Sequence, residues 1–205
     1  MFKHLRPMLS LIAPAIISSD GSAVKESTST LDNLQTAFNG GSNANVRYLA
    51  FAKKADEEGF GEMASLFRAA AEAEEIHARN YSDVIRKMGA TPALNLEPVV
   101  VQATRENLKA AIAGEKYERD ITHPEFIEVA KQQKATAALR TFTFALKVEA
   151  VHAVLYQDAL DHLSKRTGQS HTYYVCPDCG NTLERLNVLK CLICGQAKSG
   201  FVAVS

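Results

Sequence analysis

Apolar residues recur at three- and four-residue intervals from Ser29 to about Arg166, the period of helices with one buried face. Ser29, with Asp32 three residues on and Leu34 and Phe38 following, marks a helix start. Leu31, Leu34, Phe38, Gly41, Asn45, Tyr48, Ala52 and Ala55 keep one face of a long first helix, which Gly59 and Gly61 break. A second helix carries Met63, Leu66, Phe67, Ala70, Glu74, His77, Tyr81, Val84, Ile85 and Met88 on one face; Gly89 and Pro92 close it. Residues 92–103 hold two prolines and the run Val99-Val100-Val101, too long for a tight turn, and predict a crossover between two helix pairs. The third helix has the stripe Leu108, Ala111, Ile112, Glu115 and Glu118, with a kink or interruption expected at Pro124. The last carries Leu139, Phe142, Leu146, Glu149, His152, Tyr156, Leu160 and Leu163. The pattern predicts an all-α four-helix bundle over residues 29–167, built from two hairpins.

From Gly168 the composition changes, and residues 171–205 read as a small separate module. All four cysteines lie there, as Cys176-Pro-Asp-Cys179-Gly and Cys191-Leu-Ile-Cys194-Gly, eleven residues apart. Paired CxxC knuckles are the spacing of a tetrahedral four-thiolate site for zinc or iron. Each following glycine permits the tight turn that aims backbone N–H groups at sulfur. Two disulfides are the alternative. A module of about 35 residues needs some such staple, because it has too few residues for a core of its own. Zinc would make the site structural; iron would make it a one-electron carrier. Tyr173 and Tyr174, beside the first knuckle, are expected to pack within the module.

Composition removes several classes of function. The chain has 205 residues, 23 basic and 23 acidic, with zero formal net charge. That balance argues against a strongly basic grip on nucleic acid. No run approaches the ~20 apolar residues of a membrane span. Residues 1–28 form a distinct leader: Lys3, His4 and Arg6 precede an apolar run, Met8 to Ile17, broken by Pro14, and a polar stretch containing Gly21 and Ala23 follows. This reads either as an unstructured or short helical extension or as a cleaved targeting segment. Nothing further along requires an oxidising compartment, so a cytoplasmic location is expected, with targeting as the minority alternative.

The bundle stripes carry the chemistry. Glu74-x-x-His77 and Glu149-x-x-His152 each set two ligand types one turn apart where Leu or Phe would be expected, and Glu115 and Glu118 do the same on the third helix. Buried carboxylates without a cation cost several kcal/mol, so their convergence implies metal. An internal repeat supports this. Residues 33–41 match 107–115 at an offset of 74, while Phe67, Glu74, His77 and Ala78 match Phe142, Glu149, His152 and Ala153 at an offset of 75. A duplicated helix pair, each half giving one Glu and one ExxH, is the ligand set of ferritin-like dimetal carboxylate bundles. The first half departs from it: Gly41 stands where the repeat calls for Glu.

Taken together, the stretch Ala37-Phe38-Asn39-Gly40-Gly41-Ser42-Asn43-Ala44-Asn45-Val46-Arg47-Tyr48, the two ExxH pairs, Ala113-Gly114-Glu115-Lys116-Tyr117-Glu118 and the terminal knuckles resemble the rubrerythrin family over about residues 28–205. The resemblance implies a ferritin-like di-iron bundle joined to a rubredoxin-like iron module, acting as a peroxidase that reduces hydrogen peroxide. It implies that Glu74 and Glu149 bridge two irons and that His77, Glu115, Glu118 and His152 are terminal ligands. His77 and Glu118 would exchange as the iron changes oxidation state, and Tyr48 would donate a hydrogen bond to a ligand. Electrons would come from an external reductase or rubredoxin, through iron (or zinc, if the tail is only structural) held by Cys176, Cys179, Cys191 and Cys194. Some thirty residues joined at Gly168 are expected not to reach the bundle centre of their own chain, so a head-to-tail homodimer would bring tail and bundle together. The family has Glu at Gly41 and Tyr at His123. Water or an inward-reaching His123 would fill the vacancy, or one metal would bind weakly. His123 otherwise reads as a surface or capping residue before Pro124. The rival functions are a ferroxidase or storage-type bundle with a structural zinc ribbon and impaired peroxidase activity, and a degenerate bundle kept for interaction.

Overall fold

A computed structural model describes residues 28–165 and 167–205; the leader, with its expected targeting signal, lies outside the described residues. Helix α1 (Thr30–Glu57) starts at the expected residue. The Ser29 side chain accepts from the Asp32 N–H while Asp32 reaches back to Ser29, a reciprocal cap that satisfies two otherwise free amides. At Gly59, with φ of 78°, the Phe60 N–H donates to Ala55 O at 2.8 Å, and the chain turns after three residues into α2 (Gly61–Lys87). Gly89, with φ of 83°, ends α2 in the same way.

The crossover runs extended from 90 to 103 along α1. Amide side chains one turn apart on α1 pair with alternate residues of it. Gln35 exchanges two hydrogen bonds with the backbone of Ala93, Asn39 accepts from Asn95, and Asn43 accepts from Glu97. Four helical residues rise about 6 Å and two extended residues about 6.6 Å, so the two periods stay in step over three contacts.

Helix α3 (Thr104–Tyr117) passes through a π-helical turn (118–122) into α4 (His123–Gln132). The expected interruption at Pro124 is thus a widening of the helix rather than a break. Pro124 sits in the first turn of α4, where its missing N–H costs little. The His123 N–H instead donates to Glu118 O, five residues back. A π turn inserts one residue into a helix. Accordingly α1 has 28 residues, whereas α3, the π turn and α4 have 14, five and 10, one more in all. This accounts for the repeat offset changing from 74 to 75. Helix α5 (Thr136–Asp161) completes the bundle. Among the described residues no helix is long and apolar enough to cross a membrane.

The apolar core divides into two clusters. One is built around Tyr48, Phe51, Phe67 and Tyr156, the other around Leu34, Tyr81, Phe126 and Phe142. The ExxH residues lie between the two along α2 and α5.

The C-terminal module is a three-stranded antiparallel sheet, β1 (Tyr173–Val175), β2 (Thr182–Leu183) and β3 (Val202–Val204), in the order β2-β1-β3. It is not separate from the bundle. Tyr173 and Val175 belong to the first bundle core cluster, so the expectation that Tyr173 packs within the module is corrected. The Gly168 N–H donates to Gly59 O, tying the connector to the α1–α2 corner. A Cβ on Gly61 would lie 2.5 Å from Gly168 O, so only glycine allows that approach. From there α2 carries the module along its length. The His171 N–H donates to Ser65, Arg68 to Ser205 O, Arg79 to Pro177 O, and Asn80 to Asp178 O.

Candidate metal centre

The bundle donors converge as the repeat foretells. Glu74, Glu115, Glu149 and His152 bring ligand atoms within 4.8 Å of one another, and so do Glu118, His123 and Glu149. Glu149 belongs to both groups. Its Oε1 is 3.2 Å from His77 Nδ1, and its Oε2 is 3.7 Å from His152 Nδ1. His77 Nδ1 also lies 3.6 Å from Glu74 Oε2, and His152 Nδ1 lies 3.5 Å from Glu115 Oε2. Tyr48 donates to Glu115 Oε1 at 2.7 Å. Glu149 and His152 are fully buried, and Glu74, His77, Glu115 and His123 are 2% exposed. Glu118, on the π turn, is the exception to the expected interior set: 27% of its side chain is exposed.

The orientation of both ExxH imidazoles follows from what lies behind them. Nε2 of His77 is 3.0 Å from the carbonyl oxygen of Cys179, which only accepts. Nε2 of His152 is 3.0 Å from Thr182 Oγ1, whose own hydrogen goes to Gly180 O. In each ring Nε2 therefore carries a proton, which leaves Nδ1, the nitrogen facing the carboxylates, as the one able to bind a metal. Metal-binding histidines are held in this way.

Without a cation this arrangement is unfavourable. Glu149 Oε1 and Oε2, Glu115 Oε2, and Nδ1 of His77 and His152 are buried without a hydrogen-bond partner. Burial, then the charge of Glu149, pushes the Glu115 and Glu118 carboxyls well above their ordinary range. For Glu149 burial acts upward too, but the nearby Glu115 carboxyl and the His123, His152 and His77 imidazoles outweigh it and hold its carboxyl well below that range. Burial alone would lower the His77 imidazole; Glu149 and Glu74 overcome it and raise it well above the usual value. One carboxylate facing three imidazoles, with two other carboxyls forced toward protonation, is the charge pattern that divalent cations relieve. The donor set fits two metal ions that share Glu149.

The cysteines form the second set. All four are free thiols with sulfurs within 4.8 Å of one another, so the disulfide alternative is set aside. The knuckles repeat each other: Gly180 (φ 79°) donates to Cys176 O and Gly195 (φ 86°) to Cys191 O, at 2.9 and 3.0 Å. Cys176 is lowered to about 5, chiefly by a hydrogen bond from Cys179, whereas burial pushes Cys194 up to about 12. Four close sulfurs become thiolates together only around a cation, and this set fits one.

The sequence pattern that defines the rubrerythrin family matches residues 32–160. The chain belongs to the rubrerythrin family. It is similar to rubrerythrin-2 of Clostridium acetobutylicum, with 35% identity over 177 residues, 85% of this chain and 96% of that one. It is also similar to nigerythrin of Nitratidesulfovibrio vulgaris, with 33% identity over 85% of this chain and 86% of that one. A solved structure of nigerythrin in a partially reduced state superposes with a TM-score of 0.79 at 32% identity, covering 92% of this chain and 91% of that one. Bacterioferritin of Desulfovibrio desulfuricans, at 23% identity and a TM-score of 0.62 over 66% of this chain, shares the bundle fold. A ferritin-like bundle with a rubredoxin-like module is thus the architecture of this rubrerythrin-family chain.

Two expectations about the site need correction. His123 is not a surface or capping residue: it lies inside, its ring against Phe126 and Phe142, with Nε2 3.7 Å from Glu149 Oε1. The π turn rotates it inward. The second concerns reach. The module contacts the donor cluster of its own chain through Cys179 and Thr182, because it lies alongside α2 and α5 instead of extending past their ends. His171, given no role from the sequence, joins module to bundle through Ser65 and holds Glu184 O. Its signal was absent from any stripe.

Proposed function

We propose that this protein is a di-iron peroxidase that reduces hydrogen peroxide with electrons delivered through an iron in the four-cysteine site. In this reading residues 29–167 form the di-iron bundle and 171–205 the electron-entry module. Glu74, Glu115, Glu149 and His152 would hold one bundle iron, and Glu74, His77, Glu118 and Glu149 the other. When bound, two ferrous ions would supply the electron pair that peroxide reduction consumes, and Cys176, Cys179, Cys191 and Cys194 would hold the one-electron carrier that restores it. A related solved structure is of nigerythrin in its fully reduced, all-ferrous state, which supports iron as the metal.

The observation that carries the proposal is the contact between Cys179 O and His77 Nε2. A single hydrogen bond joins a residue of the thiolate set to a residue of the carboxylate set, whereas a storage bundle with a structural zinc ribbon has no use for such a link. Access supports it as well. A cavity of about 180 Å³ runs between α1 and the π turn, from Thr36, Ala37, Gly40 and Gly41 inward to Glu74, His77 and Glu149. That is room for a few water-sized molecules. Tyr48 keeps Glu115 oriented through its hydrogen bond to Oε1.

Full-length protein loaded with ferrous iron, its four-cysteine site then oxidised to the ferric state with ferricyanide, tests the proposal. The four-cysteine site is expected to bleach with dithionite and to be reoxidised by hydrogen peroxide, one peroxide per two electrons, in the wild type but not in Glu149→Ala. Zinc in the four-cysteine site of protein isolated with its native metals, together with no peroxide turnover, would overturn it.

A further inference from the structure

We infer that His123 is a metal ligand of this chain and, with Glu118 and Glu149, completes the half of the centre that Gly41 leaves short of a carboxylate. The inference rests on the proposed two-metal bundle and adds a donor to it.

The internal repeat pairs the positions concerned. Gly41 on α1 is the counterpart of Glu115 on α3 at an offset of 74, and past the π turn, at 75, Tyr48 is the counterpart of His123. In one half of the bundle Tyr48 donates to Glu115 Oε1 at 2.7 Å. In the other half both members of that pair have changed. No carboxylate exists at 41 to receive a hydrogen bond, and the residue at 123 is an imidazole instead of a phenol. The two departures therefore form one exchange, in which a carboxylate and its donor are replaced by a single nitrogen ligand.

The geometry agrees. Nε2 of His123 lies 3.7 Å from Glu149 Oε1 and 3.8 Å from Glu118 Oε2, too far for hydrogen bonds but suited to a cation between them. The ring is 2% exposed, and neither nitrogen has a hydrogen-bond partner. A buried imidazole with both nitrogens unpaired is costly unless it has a ligand. Phe126 and Phe142, whose centroids are 5.4 Å apart, pack against one side of the ring, each with its centroid 6.4 Å away.

A side chain at residue 41 would be a tight fit. A Cβ there would lie 3.2 Å from the backbone oxygen of Glu74 and 3.3 Å from Glu74 Oε2. The nitrogen ligand comes instead from the other side of the site, where the π turn presents it. The exchange also alters charge. Four carboxylates balance two divalent ions, so the centre as built favours the divalent state of both.

Cobalt(II) serves as the probe, titrated into full-length protein whose four-cysteine site is already filled. Wild type is expected to take two further ions and to show three exchangeable, hyperfine-shifted imidazole N–H signals. His123→Gln, which keeps size and polarity, is expected to lose at least about a hundredfold in affinity for one ion, beyond the usual cost of losing an outer partner. It should also lose one N–H signal. His123→Gly is expected to regain the second ion when imidazole is added. Two ions bound at wild-type affinity in both variants, with no response to imidazole, would overturn the assignment and leave the two-metal reading intact. A wild-type bundle that binds no cobalt would instead overturn the two-metal reading and this inference with it.

Discussion

The backbone of Gly180 passes so close to His77 that a Cβ there would lie 2.9 Å from the imidazole Nε2, and 3.1 Å from Ala73 Cβ. The glycine that shapes the first cysteine knuckle is thus also the one that lets the knuckle rest on α2. Its φ of 79° suits a residue without a side chain, and Ala73 gives the small surface opposite. Knuckle geometry and domain docking are set by one residue.

Gly180→Ala separates docking from metal binding. The left-handed conformation costs a non-glycine residue about 1–3 kcal/mol, and the contact with His77 adds to it. About 1.4 kcal/mol is a tenfold change in a population, so the docked module should fall about tenfold or more. Hydrogen exchange across residues 173–183 is expected to rise, and reoxidation of the four-cysteine site by peroxide to slow by a similar factor, with the four-cysteine site still filled. Wild-type exchange and rate would mean that the Cys179–His77 contact does not govern communication between the sites.

Emptying the four-cysteine site reaches the bundle. The module's strands are two or three residues long, and its own apolar cluster is built around the cysteines. Without metal it has too little core to stay folded. Cys191→Ser protein stripped of its tail metal is expected to become sensitive to protease near Gly168. His77 and His152 then lose the acceptors that hold their Nε2 protons, at a cost of about 10–100-fold in bundle metal affinity. Cobalt titration checks this; an unchanged affinity would show that the imidazoles hold their orientation without the module.

Much of the centre was legible because ligands stand where a helical stripe should be apolar. Glu74, His77, Glu149 and His152 break the period in register on two helices, and tertiary packing keeps them facing inward. The Gly41 vacancy could be read for the same reason. For His123 the inward and the surface readings both stayed open, because its direction depends on a π turn that the preceding residues do not announce. A repeat offset changing from 74 to 75 was the one trace of the inserted residue. Module docking was equally hidden. It depends on small residues, Gly61, Ala73, Gly168 and Gly180, at close backbone approaches, and a small residue reads in sequence as a turn or as nothing.

Tyr48→Phe tests the hydrogen bond to Glu115. The ring packs against Phe51, Phe67 and Tyr156, and phenylalanine preserves that packing. Only the 2.7 Å bond is lost. A buried hydrogen bond to a charged group contributes about 1.5–3 kcal/mol, and removing it leaves Glu115 Oε1 unsatisfied. The denaturation midpoint is expected to drop accordingly with an unchanged slope. A change below about 0.5 kcal/mol, the low end for a hydrogen bond, would mean that Glu115 finds another donor.

The metal-free bundle should lose stability as pH rises, the reverse of ordinary acid unfolding. Glu115 and Glu118 have folded-state values raised above the ordinary 4.5 by burial and by Glu149, so the folded chain keeps protons that the unfolded chain has released. Their contribution is complete below about 4.5 and declines as pH rises toward the raised values. His77, raised above 6.5, acts in the same direction: its contribution is complete below 6.5 and lost as pH climbs through the folded value. Glu149, held below 4.5, opposes them only in acid, since its contribution is lost as pH falls through its depressed value. Above about 4.5 the two carboxyls therefore act together, and above 6.5 His77 joins them. The melting temperature of chelated protein is expected to fall as pH rises from about 4.5. Metal replaces the protons, so binding releases them and tightens as pH rises, and the gap between loaded and chelated melting temperatures should widen. Calorimetry at a series of pH values measures both. A flat metal-free curve would mean that Glu115 and Glu118 reach water once the cations leave, and that the carboxylates are buried only when the centre is filled.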